Sequence, residues 1–139
     1  MSIGAFRVTT GHNDVRKQIF KETWHERLEP YALSKRAKSK HYDAVVCVAC
    51  FIPGCLDERH LEALMDPVKA GGKLVLGTRE VFFAPPPKDA FPTAQYDYHL
   101  ENKLEQLEQE GRLKRLERVR FPAYYIGYPG VFFVHQLVA

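Results

Sequence analysis

Residues 41–80 carry the pattern of a single strand–helix–strand unit, which constrains the fold more than any other part of the sequence. The continuous apolar run 44–52 is rich in β-branched and small residues, and this composition predicts a strand buried on both faces, as in a parallel sheet. Residues 73–78 predict a second buried strand. Two such strands joined by a helix form a right-handed unit of an open α/β sheet, in which ligands bind beyond the carboxyl ends of the strands, here around 50–54 and 78–81.

The connection between these two strands predicts the crossover helix. Asp57 can cap its N-terminus, and Gly71-Gly72 predicts its end. Between them, apolar residues recur at the spacing of one helical face, namely Leu61, Leu64, Met65 and Val68. This stripe is expected to pack on the sheet.

The composition is that of an ordinary soluble globular protein. Of the 139 residues, 45% are hydrophobic and 27% are charged, and the net charge of +3 is too small to predict nucleic-acid binding. No apolar run approaches the roughly 20 residues that span a bilayer, and the first residues lack the order of a secretory signal. The sequence predicts a cytoplasmic protein that binds no membrane. The basic tract 34–41 leaves a nuclear location open, since such tracts are nuclear signals or solvated linkers.

Three cysteines and a histidine lie close together in the sequence, at positions 47, 50, 55 and 60. Thiolates and an imidazole suit a tetrahedral zinc ion. However, Cys47 and Cys50 fall within the predicted strand, where residues three apart point to opposite faces. Buried structural thiols are therefore the favoured interpretation, and no metal site is predicted. Cys50 and Cys55 lie near the strand end and can instead be reactive.

The first 40 residues predict an amino-terminal helical segment with a basic linker. Residues 5–10 can form a short strand, and Asn13 or Asp14 can cap a helix that runs to about Leu28. The apolar stripe of this helix consists of Phe20, Trp24 and Leu28. The α/β domain is predicted over residues 41–139.

A proline-rich stretch follows the second strand. Its aromatic residues can cover a substrate or pack the loop onto the domain; they are Phe82, Phe83, Phe91 and Tyr96. The elements predicted after it are a helix over 97–110, a strand over 112–121, a turn over 122–130 and a final antiparallel strand over 131–138. The helix presents one apolar face, formed by Leu100, Leu104 and Leu107. His135, in the last strand, is expected to be a structural histidine.

Several stretches resemble the C-terminal half of a class I S-adenosylmethionine-dependent methyltransferase, over roughly residues 41–139. YDAVV at 42–46 is similar to the entry to that family's fourth strand, and KAGGKLVL at 69–76 resembles its KPGG-plus-strand signature. The stretches ACFIPG at 49–54, TRE at 78–80 and GVFFVHQLV at 130–138 are most similar to the methyltransferase-like proteins of the Williams–Beuren region group. The resemblance implies a three-layer, Rossmann-like α/β fold with a mixed sheet that is parallel except for its last strand.

The same resemblance implies where the site lies. Cys50 and Phe51, at the end of the family's fourth strand, would lie beside the cofactor S-adenosylmethionine, and Arg79 and Glu80 would face the substrate. Tyr124 belongs to a tyrosine cluster that can stack on a substrate or pack at the hinge. The family's first strand and its glycine-rich turn, G-x-G-x-G, do not occur in this sequence, and Asp14 is the nearest counterpart of the ribose-binding carboxylate.

Three functional hypotheses follow. The first is a methyltransferase-like protein, truncated or impaired in cofactor binding, that acts on a small-molecule or protein acceptor. The second is a non-catalytic module that associates with a second copy or a partner chain through an exposed sheet edge, since the missing strands would leave an edge unpaired. The third is a different α/β module for a nucleotide, against which the missing glycine turn also weighs.

Overall fold

A computed structural model describes residues 5–8, 22–52, 54–83, 100–125 and 127–138. They form an α/β structure around a mixed four-stranded sheet, as predicted. None of the helices within these ranges is long and apolar enough to cross a bilayer. In chain order the elements are β1 (Ala5–Val8), β2 (Glu22–His25), β3 (Tyr42–Val48), a 3-10 turn (Glu58–His60), α1 (Leu61–Met65), β4 (Val68–Arg79), α2 (Glu80–Phe83), α3 (Leu100–Gln109), β5 (Leu113–Tyr125) and β6 (Tyr128–Leu137).

The strand order of the main sheet is β3-β4-β6-β5. β3 and β4 are parallel, and β6 lies between β4 and β5 and is antiparallel to both. Three strands therefore run in one direction and the last strand of the chain runs in the other. This confirms the predicted mixed sheet with an antiparallel last strand. β1 and β2 form a separate antiparallel pair.

All the described helices pack on one face of this sheet. The two crossovers, from β3 to β4 and from β4 to β5, move in the same direction along the sheet, so connections of the same hand place α1 and α3 on the same side. Their leucines share one core with the inward residues of the strands, among them Leu76 and Phe133. The described residues form two layers rather than the three that were predicted.

The opposite face of the sheet, here called the second face, is apolar and partly open to solvent. Strand register places on it the side chains of Val46, Val48, Val75, Val119, Phe121, Phe132 and Val134. Val46 is 67% exposed, Val48 41% and Phe121 43%. The expectation that the first strand is buried on both faces is therefore wrong, because β3 is the outermost strand and only Cys47 within it is fully buried.

The crossover helix is shorter than predicted. Asp57 does cap the 3-10 turn, and its side chain accepts a hydrogen bond from the backbone N–H of Arg59. The helix then ends before Pro67, whose ring cannot continue a helix, and β4 already begins at Val68. Gly71, with φ +78°, lies in an irregularity of β4 where the register with β3 shifts, not at a helix end.

The amino-terminal expectation is confirmed for the first strand and is wrong for the part of the helix predicted over 22–28, whereas its earlier part lies outside the described residues. β1 forms over Ala5–Val8, but Glu22–His25 is the strand β2, in which Trp24 pairs with Phe6 of β1. Aromatic and β-branched residues favour strands when a partner strand is available. The predicted cap at Asn13 or Asp14 and the residue Phe20 lie outside the described residues.

The carboxyl-terminal elements agree well with the predictions. α3 covers Leu100–Gln109, its three predicted leucines are buried, and Gly111 follows it with φ +72°. The two strands after it form an antiparallel hairpin. Most of the segment predicted as a turn, 122–130, instead extends these strands, and the chain reverses between Tyr125 and Tyr128.

His135 is a structural histidine, as predicted. It is 1% exposed, and its Nε2 atom lies 2.9 Å from Oε1 of Glu108 on α3. Arg115 on β5 also donates to that carboxylate, at 3.1 Å. Burial lowers the pKa of His135 below its ordinary value of 6.5, and the hydrogen bond to Glu108 opposes this shift only in part. The fold therefore favours the neutral imidazole.

This burial predicts a loss of stability in mild acid. As the pH falls from about 7 to about 5, the unfolded chain protonates at position 135 before the folded protein does, so the free energy of unfolding should decrease. Urea unfolding at several pH values measures the effect. His135→Gln keeps a donor for Glu108 and should flatten the dependence in this window. An equally steep dependence in the variant would assign it to other groups.

Candidate functional site

The carboxyl ends of β3 and β4 meet the β5–β6 hairpin, as the crossover unit predicts. Arg79 ends β4 opposite Gly130 of β6, and its guanidinium lies 5.0 Å from the ring centre of Tyr128. The base of the Tyr124 side chain packs against Gly130, and the charges of Cys50 and Arg79 both act on the pKa of its phenol. The structure thus brings together three of the predicted site residues, and we call Cys50, Arg79, Tyr124 and Tyr128 the carboxyl-end cluster.

Two hydrogen bonds connect the segment after β3 to the end of β4. The backbone N–H of Ala49 donates to the carbonyl of Gly77 at 2.9 Å, and the Thr78 hydroxyl donates to the carbonyl of Phe51 at 2.8 Å. Phe51 has no exposed surface and belongs to the hydrophobic core. A ligand can reach its side chain only if the core rearranges, so Cys50, which is half-buried, is the more accessible of the two predicted cofactor residues.

The cysteines are arranged differently from the prediction. Cys47 and Cys50 were expected on opposite faces of one strand, but β3 ends at Val48 and Ala49 has φ +59°. This left-handed residue bends the chain, and the Cys50 thiol donates to the carbonyl of Val48 at 3.3 Å. Cys47 and Cys50 each alter the pKa of the other thiol. Cys47 is buried, as predicted, whereas Cys50 and Cys55 are half-buried.

The two thiols have opposite acid–base behaviour. The hydrogen bond from Cys47 lowers the pKa of Cys50 to about 7, even though burial acts in the other direction. The same hydrogen bond, together with burial, raises the pKa of Cys47 well above its usual value. Near neutral pH the pair therefore carries its negative charge on the more accessible sulfur.

Glu80 and Arg79 are not each other's main partners. Glu80 is the first residue of α2, and its Oε2 atom accepts a hydrogen bond from Nε of Arg120 at 2.8 Å. Arg79 instead lies between aromatic rings, 5.7 Å from the Phe82 ring centre and 5.0 Å from that of Tyr128. Such cation–π contacts hold a guanidinium in a defined orientation.

Tyr124 is held against the hairpin on the second face. Its ring meets that of Phe132 edge-on, with 5.6 Å between centres. Gly130 makes this contact possible, because a Cβ atom at that position would overlap the base of the Tyr124 side chain. Burial raises the pKa of Tyr124, and the negative charge of Cys50 acts in the same direction. The phenol is therefore protonated at neutral pH and can donate a hydrogen bond.

The aromatic residues predicted to line a binding loop have different surroundings in the structure. Phe83 is buried and packs on Phe133, with 4.6 Å between ring centres, so it belongs to the core rather than to a binding loop. Phe82 contacts Arg79 in the carboxyl-end cluster. Phe91 and Tyr96 lie outside the described residues.

The described residues offer no cluster of three or more histidine, cysteine or acidic side chains that could hold a metal ion. His60, the fourth member of the zinc alternative, is buried, and its Nδ1 atom lies 3.1 Å from the backbone nitrogen of Asp57. A surface depression of about 180 Å³ lies at the opposite end of the sheet, near Lys40, Asp66 and Val138. It shares no residue with the predicted site.

Arg120 was not predicted as part of the site, and Tyr128 was predicted as a member of the tyrosine cluster but without its contact to Arg79. Arg120 belongs to an alternating basic stretch of β5, and only the pairing of β5 with β6 brings it to Glu80. Cys47 was assigned a packing role alone. The C-x2-C spacing was a visible signal for it, but placing both cysteines within one strand concealed the contact.

Neither a protein-family model nor a curated protein matches this sequence.

Proposed function

We propose that the chain is the carboxyl half of a class I S-adenosylmethionine-dependent methyltransferase-like domain. The observation that carries the proposal is that Cys50 follows the end of β3, while Arg79 ends the neighbouring β4 opposite Gly130, against which Tyr124 packs. This is the end at which open α/β sheets bind ligands. The parallel pair β3–β4 and the antiparallel last strand are also what the sequence resemblance implies for that half.

In this proposal the cluster serves a methyl acceptor. The transferred methyl group carries a positive sulfonium charge, and catalysis consists mainly of holding a nucleophile in line with it. Tyr124 can donate a hydrogen bond to the acceptor, and Arg79 can balance an anionic group on it. Cys50 would lie beside the cofactor. Glu80, already paired with Arg120, would position that arginine rather than act as a free base.

Calorimetric titration with S-adenosylmethionine tests this proposal. Weak binding is expected, because the sequence contains no glycine-rich turn to hold the methionine moiety. Cys50→Phe should block binding, whereas Cys55→Phe, on another half-buried cysteine five residues away, should not. Absence of heat at millimolar ligand, or equal binding by both variants, would reject a cofactor site at this position.

A second function is favoured by the edge of β3. This strand is outermost in the sheet, and within the described ranges no strand pairs with its outer side. Its exposed valines continue the apolar second face. We propose that a second copy of the chain pairs with this edge, since two copies of one edge can pair antiparallel about a two-fold axis and extend both sheets.

Light scattering during size-exclusion chromatography tests the association. The protein should elute as a dimer whose fraction rises with concentration. Val46→Lys places a charge on the edge strand and should give a monomer, whereas Leu116→Lys, at a similarly exposed apolar residue of β5, should leave the dimer intact. A wild-type protein that remains monomeric at high concentration would contradict this function.

A further inference from the structure

Cys47 and Cys50 form a local unit whose thiol chemistry neither proposed function uses. They are separated by two residues, the first buried at the end of β3 and the second half-buried just beyond it. Cys-x-x-Cys spacing in an α/β protein is typical of thiol–disulfide chemistry. The spacing alone is a weak signal for this chemistry, so the argument depends on the geometry around the two cysteines.

We propose that Cys47 and Cys50 form a reactive dithiol that exchanges with low-molecular-weight disulfides. Cys50 is the attacking thiol and Cys47 is the resolving thiol. The class of substrate is a small, flexible disulfide such as that of an oxidised tripeptide, because Cys50 is only partly accessible from solvent.

The backbone between the two cysteines supports this assignment. Ala49 adopts φ +59°, a conformation that costs a non-glycine residue on the order of 1 kcal/mol and persists only when its surroundings hold it. Its N–H is held by the carbonyl of Gly77 on β4, at 2.9 Å. The bend brings the Cys50 sulfur back to β3, where its thiol donates to the carbonyl of Val48 at 3.3 Å, one residue after Cys47.

Differences in exposure and charge indicate which sulfur attacks and which resolves the mixed disulfide. The more accessible Cys50 has a pKa of about 7, because Cys47 donates a hydrogen bond to it, so a substantial fraction of it is thiolate near neutral pH. A pKa near the ambient pH is the optimum for an attacking thiol. Cys47 is buried and remains a thiol until Cys50 has reacted. These properties match the order of the two steps.

The exchange balances without a further reactant. The Cys50 thiolate attacks one sulfur of the small disulfide, so that a mixed disulfide forms and one small thiolate leaves. Cys47 then loses its proton to that thiolate or to water and attacks the Cys50 sulfur, which releases the second small thiol. The protein loses two hydrogens and forms a Cys47–Cys50 disulfide, and the small disulfide is reduced to two thiols.

Oxidised glutathione is the probe, and intact-protein mass with peptide mapping is the readout. The wild-type protein should form an internal Cys47–Cys50 disulfide without a lasting adduct. Cys47→Ser keeps a hydroxyl donor but cannot resolve, so it should accumulate a glutathione adduct on Cys50. Cys50→Ser should be inert at this site, and Cys55→Ser should behave as the wild type. Thermal unfolding of each variant checks that it is folded.

A rate measurement isolates the hydrogen bond. Loss of the donor in Cys47→Ala should slow alkylation of Cys50 by iodoacetamide at pH 7 roughly five- to eightfold, if the pKa returns to that of an ordinary thiol and the thiolate becomes correspondingly more nucleophilic. Cys47→Ser, which retains a donor, should lose much less.

Three outcomes would overturn the proposal. They are a disulfide that maps to Cys50 and Cys55, a folded Cys47→Ser variant without a Cys50 adduct, and equal alkylation rates in the alanine and wild-type proteins. None depends on S-adenosylmethionine or on dimer formation, so the dithiol can fail while the proposed functions stand, and the reverse also holds.

Discussion

Phe51→Ala should lower the free energy of unfolding by about 3–5 kcal/mol, the largest effect we expect from a single substitution in this protein. Phe51 has no exposed surface, and its ring packs in the one hydrophobic cluster that joins β3, α1, α3 and β4. Removal of the ring leaves a cavity at the junction of these elements. Urea unfolding followed by circular dichroism measures the change.

Phe121→Ala is the matched control. It removes the same ring from a residue that is 43% exposed on the second face, where solvent already contacts much of the side chain. Its cost should be a small fraction of that at Phe51. Similar losses in the two variants would show that Phe51 does not occupy the core. A folded Phe51→Ala protein at wild-type stability would have the same meaning.

Gly130→Ala should cost about 1–3 kcal/mol through overpacking. The added methyl group would overlap the Cβ and Cγ atoms of Tyr124, which lie next to the backbone and cannot move away without displacing the hairpin. The substitution should therefore also shift the Tyr124 phenol within the carboxyl-end cluster. Urea unfolding reports the cost, and titration of the tyrosine absorbance reports the changed surroundings of the phenol.

A double substitution separates this overlap from other effects of an alanine at position 130. When Tyr124 is replaced by glycine, the Cβ and ring atoms that Gly130→Ala would strike are absent, so the second substitution should cost much less than it does alone. Contacting residues commonly show such non-additivity. An undiminished cost in the Tyr124→Gly background would assign the effect to the backbone of β6.

The sequence predicted most of the sheet and much less of the first crossover. β4, α3 and the β5–β6 hairpin follow clear periodic patterns, and each has a strong local end signal such as Gly111. The stripe that runs on to Val68 misled the helix prediction, because Pro67 ends the helix and Val68 keeps its inward position as a strand residue. Over four residues, apolar periodicity alone does not distinguish a helix that continues from a helix that ends just before a strand.

The sequence predicted a region for the candidate site but not the contacts that its residues make. The predicted order of strands placed Cys50, Arg79 and Glu80 at the carboxyl ends of two parallel strands, which is where they lie relative to β3 and β4. The partners of Glu80 and of Arg79, which are Arg120 and Tyr128, depend on the register of distant strands. The thiol contact depends on one left-handed residue, Ala49, where the sequence offers no glycine as a signal.

The direction of the winding has a consequence for how such a structure can be completed. Both crossovers advance the same way along the sheet, so each further unit added beyond β5 in the same manner would place another helix on the face that is already covered. Each strand added beyond β5 therefore enlarges the apolar area of the second face that no helix covers. Only a segment that starts at β3 and winds in the reverse direction, from this or another polypeptide, can shield it. Strands can therefore be added beyond β5, but the second face can be covered only by a segment that continues from β3.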